Sequence, residues 1–254
     1  MIVITTPTGQ IGQQVVDRVL ASGEPARVIA RDPSRLSPHV RAHAEVVQGS
    51  HGDGDAITKA LAGADRLFWL VPPPPFSHPG SAEHYYLDFT RPACQAAASQ
   101  GVRVVGVSTL GHGYQGQAIN EGTFSMANDA GRPLPTVATR DIATAAAALL
   151  LDTSWSGQAS VPVAGPDNLT PDDMAEVISG TLGRTIRYRQ VPVADYQAAM
   201  RQRGASPAIA QDMADMIEAQ NDGIYDAEPR DPDSATATSF RQWCQDTLKP
   251  AVQA

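Results

Sequence analysis

The sequence is short of cysteine, of positive charge and of long apolar runs, and each shortage excludes something. Its two cysteines, Cys94 and Cys244, lie far apart and cannot form a Cys-x-x-Cys metal or redox motif. Two thiols in 254 residues fit a reducing cytoplasm better than a disulfide scaffold. Lys and Arg number 19 against 27 Asp and Glu, a formal net charge of −8. An acidic surface repels phosphate backbones, which argues against direct binding of nucleic acid. No apolar run approaches the ~20 residues of a membrane span. Met1-Ile2-Val3-Ile4 turns polar without a basic flank, unlike a secretory leader. A soluble cytoplasmic protein, with no membrane partner, is the expectation.

What is present suffices for a core. Hydrophobic residues make up 42% and charged residues 18%, which excludes wholesale disorder. The length suits one large domain, or one domain with a smaller lobe.

The first half alternates between two periods. Ile2 to Ile4 is a short apolar run of the kind a buried strand requires. A Gly/Thr/Pro turn follows, and then Ile11, Val15 and Val19, with Val16 and Leu20 beside them, make one apolar helical stripe ended by Gly23. Ala26–Ala30, Ala44–Val47, Leu67–Val71 and Val102–Val107 read as further strands. Helices are expected around Ile57–Leu61 and over Tyr85–Ser99. Strand, helix, strand in repetition means right-handed crossovers and an α/β fold, a Rossmann-type doubly wound parallel sheet.

The second half differs. Arg140–Leu151 is an Ala/Leu-rich helix, and Thr170-Pro171-Asp172-Asp173 is a strong helix start: a Thr cap, Pro at the first position and acids facing the dipole. That helix runs to Leu182 before Gly183. Ile186–Val191 looks like a strand, with helical stretches near Ala194–Arg203, Pro207–Asn221 and Ser239–Leu248. The expected division is 1–150 for the nucleotide-binding domain and 151–254 for a smaller, mostly helical C-terminal lobe. Between Leu110 and Arg140 only Gly-rich and polar sequence is legible. A doubly wound sheet needs another helix and strand there. Either this part is cut down or residues are missing between about Gln115 and Asn120, and the second is expected.

Thr8-Gly9-Gln10-Ile11-Gly12-Gln13-Gln14-Val15 joins the first strand to the first helix. Gly9 permits the tight turn, Gly12 permits close approach of backbone, and the helix start offers unpaired N–H groups to phosphate. Alone such a motif is weak; between a strand and an amphipathic helix it is specific. Arg31 follows Gly12 by about 20 residues, where an acid would bind the ribose of NAD and an Arg can pair with the 2′-phosphate of NADP. Ser34 and Arg35 can assist. Asp32 can bind ribose itself or pair with Arg31. NADP(H) is therefore expected ahead of NAD(H).

With these residues in hand, the chain resembles the NmrA-like group of atypical short-chain dehydrogenases. The resemblance rests on Thr8 to Val15, Ile29-Ala30-Arg31-Asp32-Pro33-Ser34, Arg140-Asp141-Ile142-Ala143, Gly165-Pro166-Asp167-Asn168-Leu169-Thr170 and Leu182-Gly183-Arg184. It implies a Rossmann domain binding NADP(H) and a cleft roofed by the small lobe. Members include quinone and azo-compound reductases, biosynthetic reductases, and redox sensors that bind the cofactor without turnover. Thr6 stands where the family usually has Gly. Ser50, with Asp53 nearby, replaces an acid common after the third strand. The family's helix and strand after the Ser108 region have no counterpart.

The candidate site follows. Thr6, Thr8, Gly9, Gln10, Ile11 and Gly12 form the phosphate loop, with Arg31 and Ser34 at the adenosine end. Val71 and Pro72 lie along ribose and nicotinamide, and Pro72 to Pro75, Phe76 and His78 form a stiff wall. Ser108, at the carboxyl edge of the fifth strand, can hydrogen-bond nicotinamide or substrate. Ser108, His112 and Tyr114 are the catalytic candidates. Tyr114-Gln115-Gly116-Gln117-Ala118 lacks the Lys of Tyr-x-x-x-Lys, and an unassisted Tyr keeps a pKa of about 10. His39 and His43 have i, i+4 spacing, but no convincing helix carries them and no third ligand is placed, so no metal is expected. Tyr85, Tyr86 and Phe89 read as helix-packing residues. The leading function is NADPH-dependent reduction of a small carbonyl, enone or quinone-like molecule. A non-catalytic NADP(H) sensor with a protein partner and a biosynthetic isomerase or cyclase are the alternatives. A homodimer is compatible with all three.

Overall fold

A computed structural model describes residues 1–108, 119, 122–227 and 235–253. The chain divides into two compact units, Met1–Pro74 with Ala82–Thr109 and Ile142–Ser160, and Pro75–Ser81 with Leu110–Asp141 and Val161–Ala254.

The first unit is built on β1 (Ile2–Ile4), α1 (Gln10–Ala21), β2 (Ala26–Ala30), α2 (Pro38–His43), β3 (Glu45–Gln48), α3 (Gly54–Leu61), β4 (Arg66–Trp69), α4 (Ala82–Gln100) and β5 (Arg103–Gly106). The strands form one parallel sheet in the order β3-β2-β1-β4-β5, with Ile2 opposite both Ala26 and Arg66. This is the doubly wound α/β arrangement.

Side chains alternate along each strand, and so build two cores. Ile2, Ile4, Val28 and Phe68 meet Val15, Val16 and Val19 of α1, together with Ala143, Ala146 and Leu150 of the later helix α5 (Thr139–Leu151). Val3, Ile29 and Leu67 point the other way, onto Ile57 and Leu61 of α3 and Ala93, Ala96 and Ala97 of α4. β1 is buried along its whole length, which is why it reads as an unbroken apolar run.

β5 pairs with β4 alone, and no strand beyond it joins the sheet among the described residues. Val104 is 42% exposed there, and a Cβ on Gly106 would meet nothing within 4 Å. Among the described residues, no helix covers that face of β5.

In the second unit the sequence is corrected in one place. The stretch read as structureless contains β6 (Thr123–Met126) and β7 (Leu134–Pro135). β6 pairs in parallel with β9 (Arg187–Gln190), and β7 pairs antiparallel with β8 (Asn168–Leu169). The unit also holds helices α6 (Pro171–Leu182), α7 (Val193–Gln202), α8 (Pro207–Asn221), α9 (Phe240–Trp243) and α10 (Lys249–Gln253). α6 starts as its sequence dictates, with a capping box between Thr170 and Asp173, and ends on left-handed Gly183. Phe124, Met174, Ile178, Ile186 and Phe240 share its core.

Candidate nucleotide-binding site

The carboxyl end of β1 runs directly into the mouth of α1. Gly9 is the N-cap and lacks a side chain to bond the first-turn N–H groups, and no acid sits in that turn. The amides and the positive end of the dipole are therefore uncommitted. Gly12 is buried, and a Cβ there would lie 2.1 Å from the Thr6 carbonyl oxygen and 2.9 Å from that of Thr5. Only Gly lets α1 press this closely on the loop. Gly9 donates its N–H to the Thr6 oxygen at 2.9 Å, which closes the turn. Gln10 opens the helix, Ile11 packs against the core below it, and Thr8 is exposed at the tip. An anion with several oxygens fits this cradle.

Thr6 holds φ +50, the sole positive φ outside glycine among the described residues. A β-branched residue is strained there, and its hydroxyl is buried without a hydrogen-bond partner. Thr6→Gly is expected to stabilise the ligand-free protein by about 1 kcal/mol, the strain relief outweighing the added chain entropy. Urea denaturation measures it, and a loss of stability would show that Thr6 is unstrained.

Arg31 follows β2 and is exposed. It makes no ion pair with any described residue. Asp32 does not pair with it. Its carboxylate accepts from the Ser34 hydroxyl at 2.7 Å and the Ser34 N–H at 3.0 Å, and these bonds hold it below the usual carboxylate range. The Ser34 hydroxyl is thus engaged with Asp32, while the guanidinium of Arg31 is uncommitted.

The residue that sequence reasoning passed over is His51, on the loop after β3. It is buried, with Nε2 3.1 Å from the Leu70 carbonyl oxygen. Its ring stands edge-on to Trp69 and Phe89, centroids 5.3 and 4.9 Å away. Burial lowers its pKa from 6.5 to about 4; the Leu70 bond opposes this and the charge of Arg31 adds to it. Between these two values the unfolded chain binds the extra proton and the folded chain does not. Stability therefore falls as pH drops from about 6.5 toward 4, by about 2 kcal/mol. Urea midpoints against pH should show this decline in the wild type and a shallower one in His51→Phe. Identical profiles would contradict it.

Val71 packs partly against the same core, and Pro72 is half-buried next to it. Ser108 is exposed two positions beyond β5. His112 and Tyr114 lie outside the described residues. His39 and His43 do sit on a helix, α2, started by Ser37 and Pro38. His43 Nδ1 donates to the His39 carbonyl at 2.8 Å, and Glu45 accepts from Arg27 at 2.7 Å. Among the described residues no three His, Cys, Asp or Glu side chains are grouped to hold a metal.

Residues 7–133 match the family model described as NAD(P)H-binding, and residues 120–243 match the NmrA-like family. The chain belongs to the NAD(P)H-binding NmrA-like family. Among its relatives is (4-alkanoyl-5-oxo-2,5-dihydrofuran-3-yl)methyl phosphate reductase of Streptomyces griseus, 28% identical over 283 aligned positions, with 96% of each chain covered. The alignment exceeds the 254 residues here, so that relative carries stretches for which this chain has no counterpart. Quinone oxidoreductase 2 of Escherichia coli is 22% identical, over 89% of this chain and 90% of its own. The triphenylmethane reductase of Citrobacter sp., solved with NADP(H), shares the fold at a TM-score of 0.73 and 17% identity, covering 95% of this chain and 98% of its own. The glycine-lined mouth of α1 lies within the residues that match the NAD(P)H-binding model.

Proposed function

We propose that the chain is an NADPH-dependent oxidoreductase acting on a small carbonyl, enone or quinone-like molecule. The observation that carries this reading is the cradle at Gly12, where backbone alone is tolerated and the first-turn amides are uncommitted. Relatives named as reductases support the reaction class. The unpaired Arg31 favours a 2′-phosphate, hence NADPH over NADH.

When bound, the cofactor supplies the hydride. The chain's own residues have separate tasks. The amides of Gln10, Ile11 and Gly12 hold the diphosphate, with Thr6 and Thr8 beside them. Arg31 holds the 2′-phosphate. Val71 and Pro72 line the ribose and nicotinamide. Ser108 orients nicotinamide or substrate by a hydrogen bond, and His112 and Tyr114 are the proton donors to test. We assign cofactor binding to residues 1–150 and substrate recognition to residues 151–254. No helix among the described residues is long and apolar enough to cross a membrane. Cys94 and Cys244 are both free thiols, which supports a cytoplasmic setting.

Loss of NADPH absorbance with a panel of quinones and enones tests the reading. Turnover with at least one acceptor is expected, faster with NADPH than with NADH. Tight NADPH binding without turnover on any acceptor would overturn the reductase and leave a nucleotide sensor.

A further inference from the structure

We infer that the outer face of the β6–β9 ribbon binds a phosphate monoester, held in a fork of Arg187 and Arg189 with the hydroxyls of Thr123 and Ser125 beside it.

Alternation along the two strands sorts their side chains. Phe124 stands opposite Tyr188 in the parallel register, with ring centroids 5.3 Å apart, and both join the core of the second unit together with Ile186. Thr123, Ser125, Arg187 and Arg189 therefore share the opposite face. Thr123 is paired with Arg187 and Ser125 with Arg189. Both arginines are exposed, and the two hydroxyl residues are half-buried. Each cation thus has a hydroxyl on the adjoining strand, about 5 Å away at the backbone.

The charge on this face is uncompensated in an acidic chain, whose formal net charge is −8. Arg27, Arg66, Arg91, Arg132 and Arg140 each pair with a carboxylate. The guanidiniums of Arg187 and Arg189 make no ion pair or hydrogen bond with any described residue. Of the acids around the ribbon, Asp129 accepts from the Gln190 amide at 2.6 Å and acts with Asp172 on Tyr188.

Side chains on alternate residues of a strand start about 7 Å apart, so the two guanidiniums repel each other. A dianion between them removes the repulsion. Their planar forks also match phosphate oxygens. A phosphate monoester brings about two negative charges and three terminal oxygens, enough for both forks and a hydroxyl. A carboxylate, with one charge and two oxygens, leaves part of this donor set unused.

The platform is rigid. The Arg187 N–H donates to the Gly122 oxygen at 3.1 Å and the Val191 N–H to the Met126 oxygen at 2.8 Å. The Tyr188 hydroxyl donates to the Met126 and Asn128 carbonyls on the inner side. Both arginines fall in the residues to which substrate recognition is assigned above. The phosphate can belong to the acceptor or to a free effector. The first source rests on the reductase reading; the binding site does not.

Calorimetric titration of phenyl phosphate into the full chain, and into Arg187→Gln and Arg189→Gln, tests the site. Each substitution should weaken binding about 10-fold. Wild type that binds no phenyl phosphate, or variants that bind it as the wild type does, would overturn the inference and leave the arginines as guards of an edge strand. An enone acceptor and its phosphate ester, compared by KM with NADPH, separate the two sources. A KM about 10-fold lower for the ester, with the preference lost in Arg189→Gln, assigns the phosphate to the acceptor. Equal KM values beside intact phenyl phosphate binding assign it to a free effector. No turnover with either acceptor would count against the reductase reading and leave the binding result standing.

Discussion

Gly12→Ala should abolish nucleotide binding and cost roughly 3 kcal/mol of stability. The added methyl would stand 2.1 Å from one backbone oxygen, 2.7 Å from the Thr6 carbonyl carbon and 2.9 Å from a second oxygen. No side chain can move to make room, because all three atoms belong to the main chain. α1 must back away from the loop by about 1 Å to restore normal contact. That shift lifts Val15, Val16 and Val19 off the sheet face they cover, and it withdraws the first-turn amides from the phosphate position. Thermal melting and an NADPH titration would read both effects. A variant that melts like the wild type and binds NADPH normally would mean that the close approach at Gly12 has neither a packing nor a binding role.

Arg31→Ala should weaken NADPH binding about 100-fold and leave NADH binding nearly unchanged, since one charge-assisted pair with the 2′-phosphate is lost. Arg31 has no other commitment among the described residues. Its neighbour Asp32 is occupied by Ser34, so removing the guanidinium strands no internal partner. The fold should therefore tolerate the change. Parallel titrations with the two nucleotides decide it: equal losses for both would discard the assigned role, and no loss for either would place the 2′-phosphate elsewhere.

The parallel sheet and its first helix were legible because their signals are local. A buried three-residue strand, a Gly turn and the stripe of Val15, Val16 and Val19 occupy adjacent positions, and hydrophobic periodicity reports them directly. The same holds for α6, whose start is written in Thr170-Pro171-Asp172-Asp173. What was missed depends on distant partners. β6 is four residues long with only Phe124 buried, and its pairing partner β9 lies some 60 residues on. A strand that short carries no readable alternation. α2 announced itself only through Ser37 and Pro38, and its six residues are too few for a stripe.

His51 was illegible for a related reason. A single histidine after a strand has no period. Its neutral tautomer is set by Leu70, 19 positions away, and its edge-on packing by Trp69 and Phe89 on two other elements. The usable hint was position alone: Gly49-Ser50-His51-Gly52-Asp53 sits at the carboxyl end of a strand, between two glycines that keep the backbone close. The stretch after β5 reads as too short for a helix and a strand, and residues 109–118 lie outside the described residues.

Amide hydrogen exchange across residues 9–13, with and without saturating NADPH, reads the diphosphate cradle itself. The first-turn amides of α1 have no capping side chain, so they should exchange fast in the free protein and slow markedly when the diphosphate takes them as donors. NADPH that binds and leaves exchange there unchanged, while slowing it elsewhere, would place the diphosphate away from the mouth of α1.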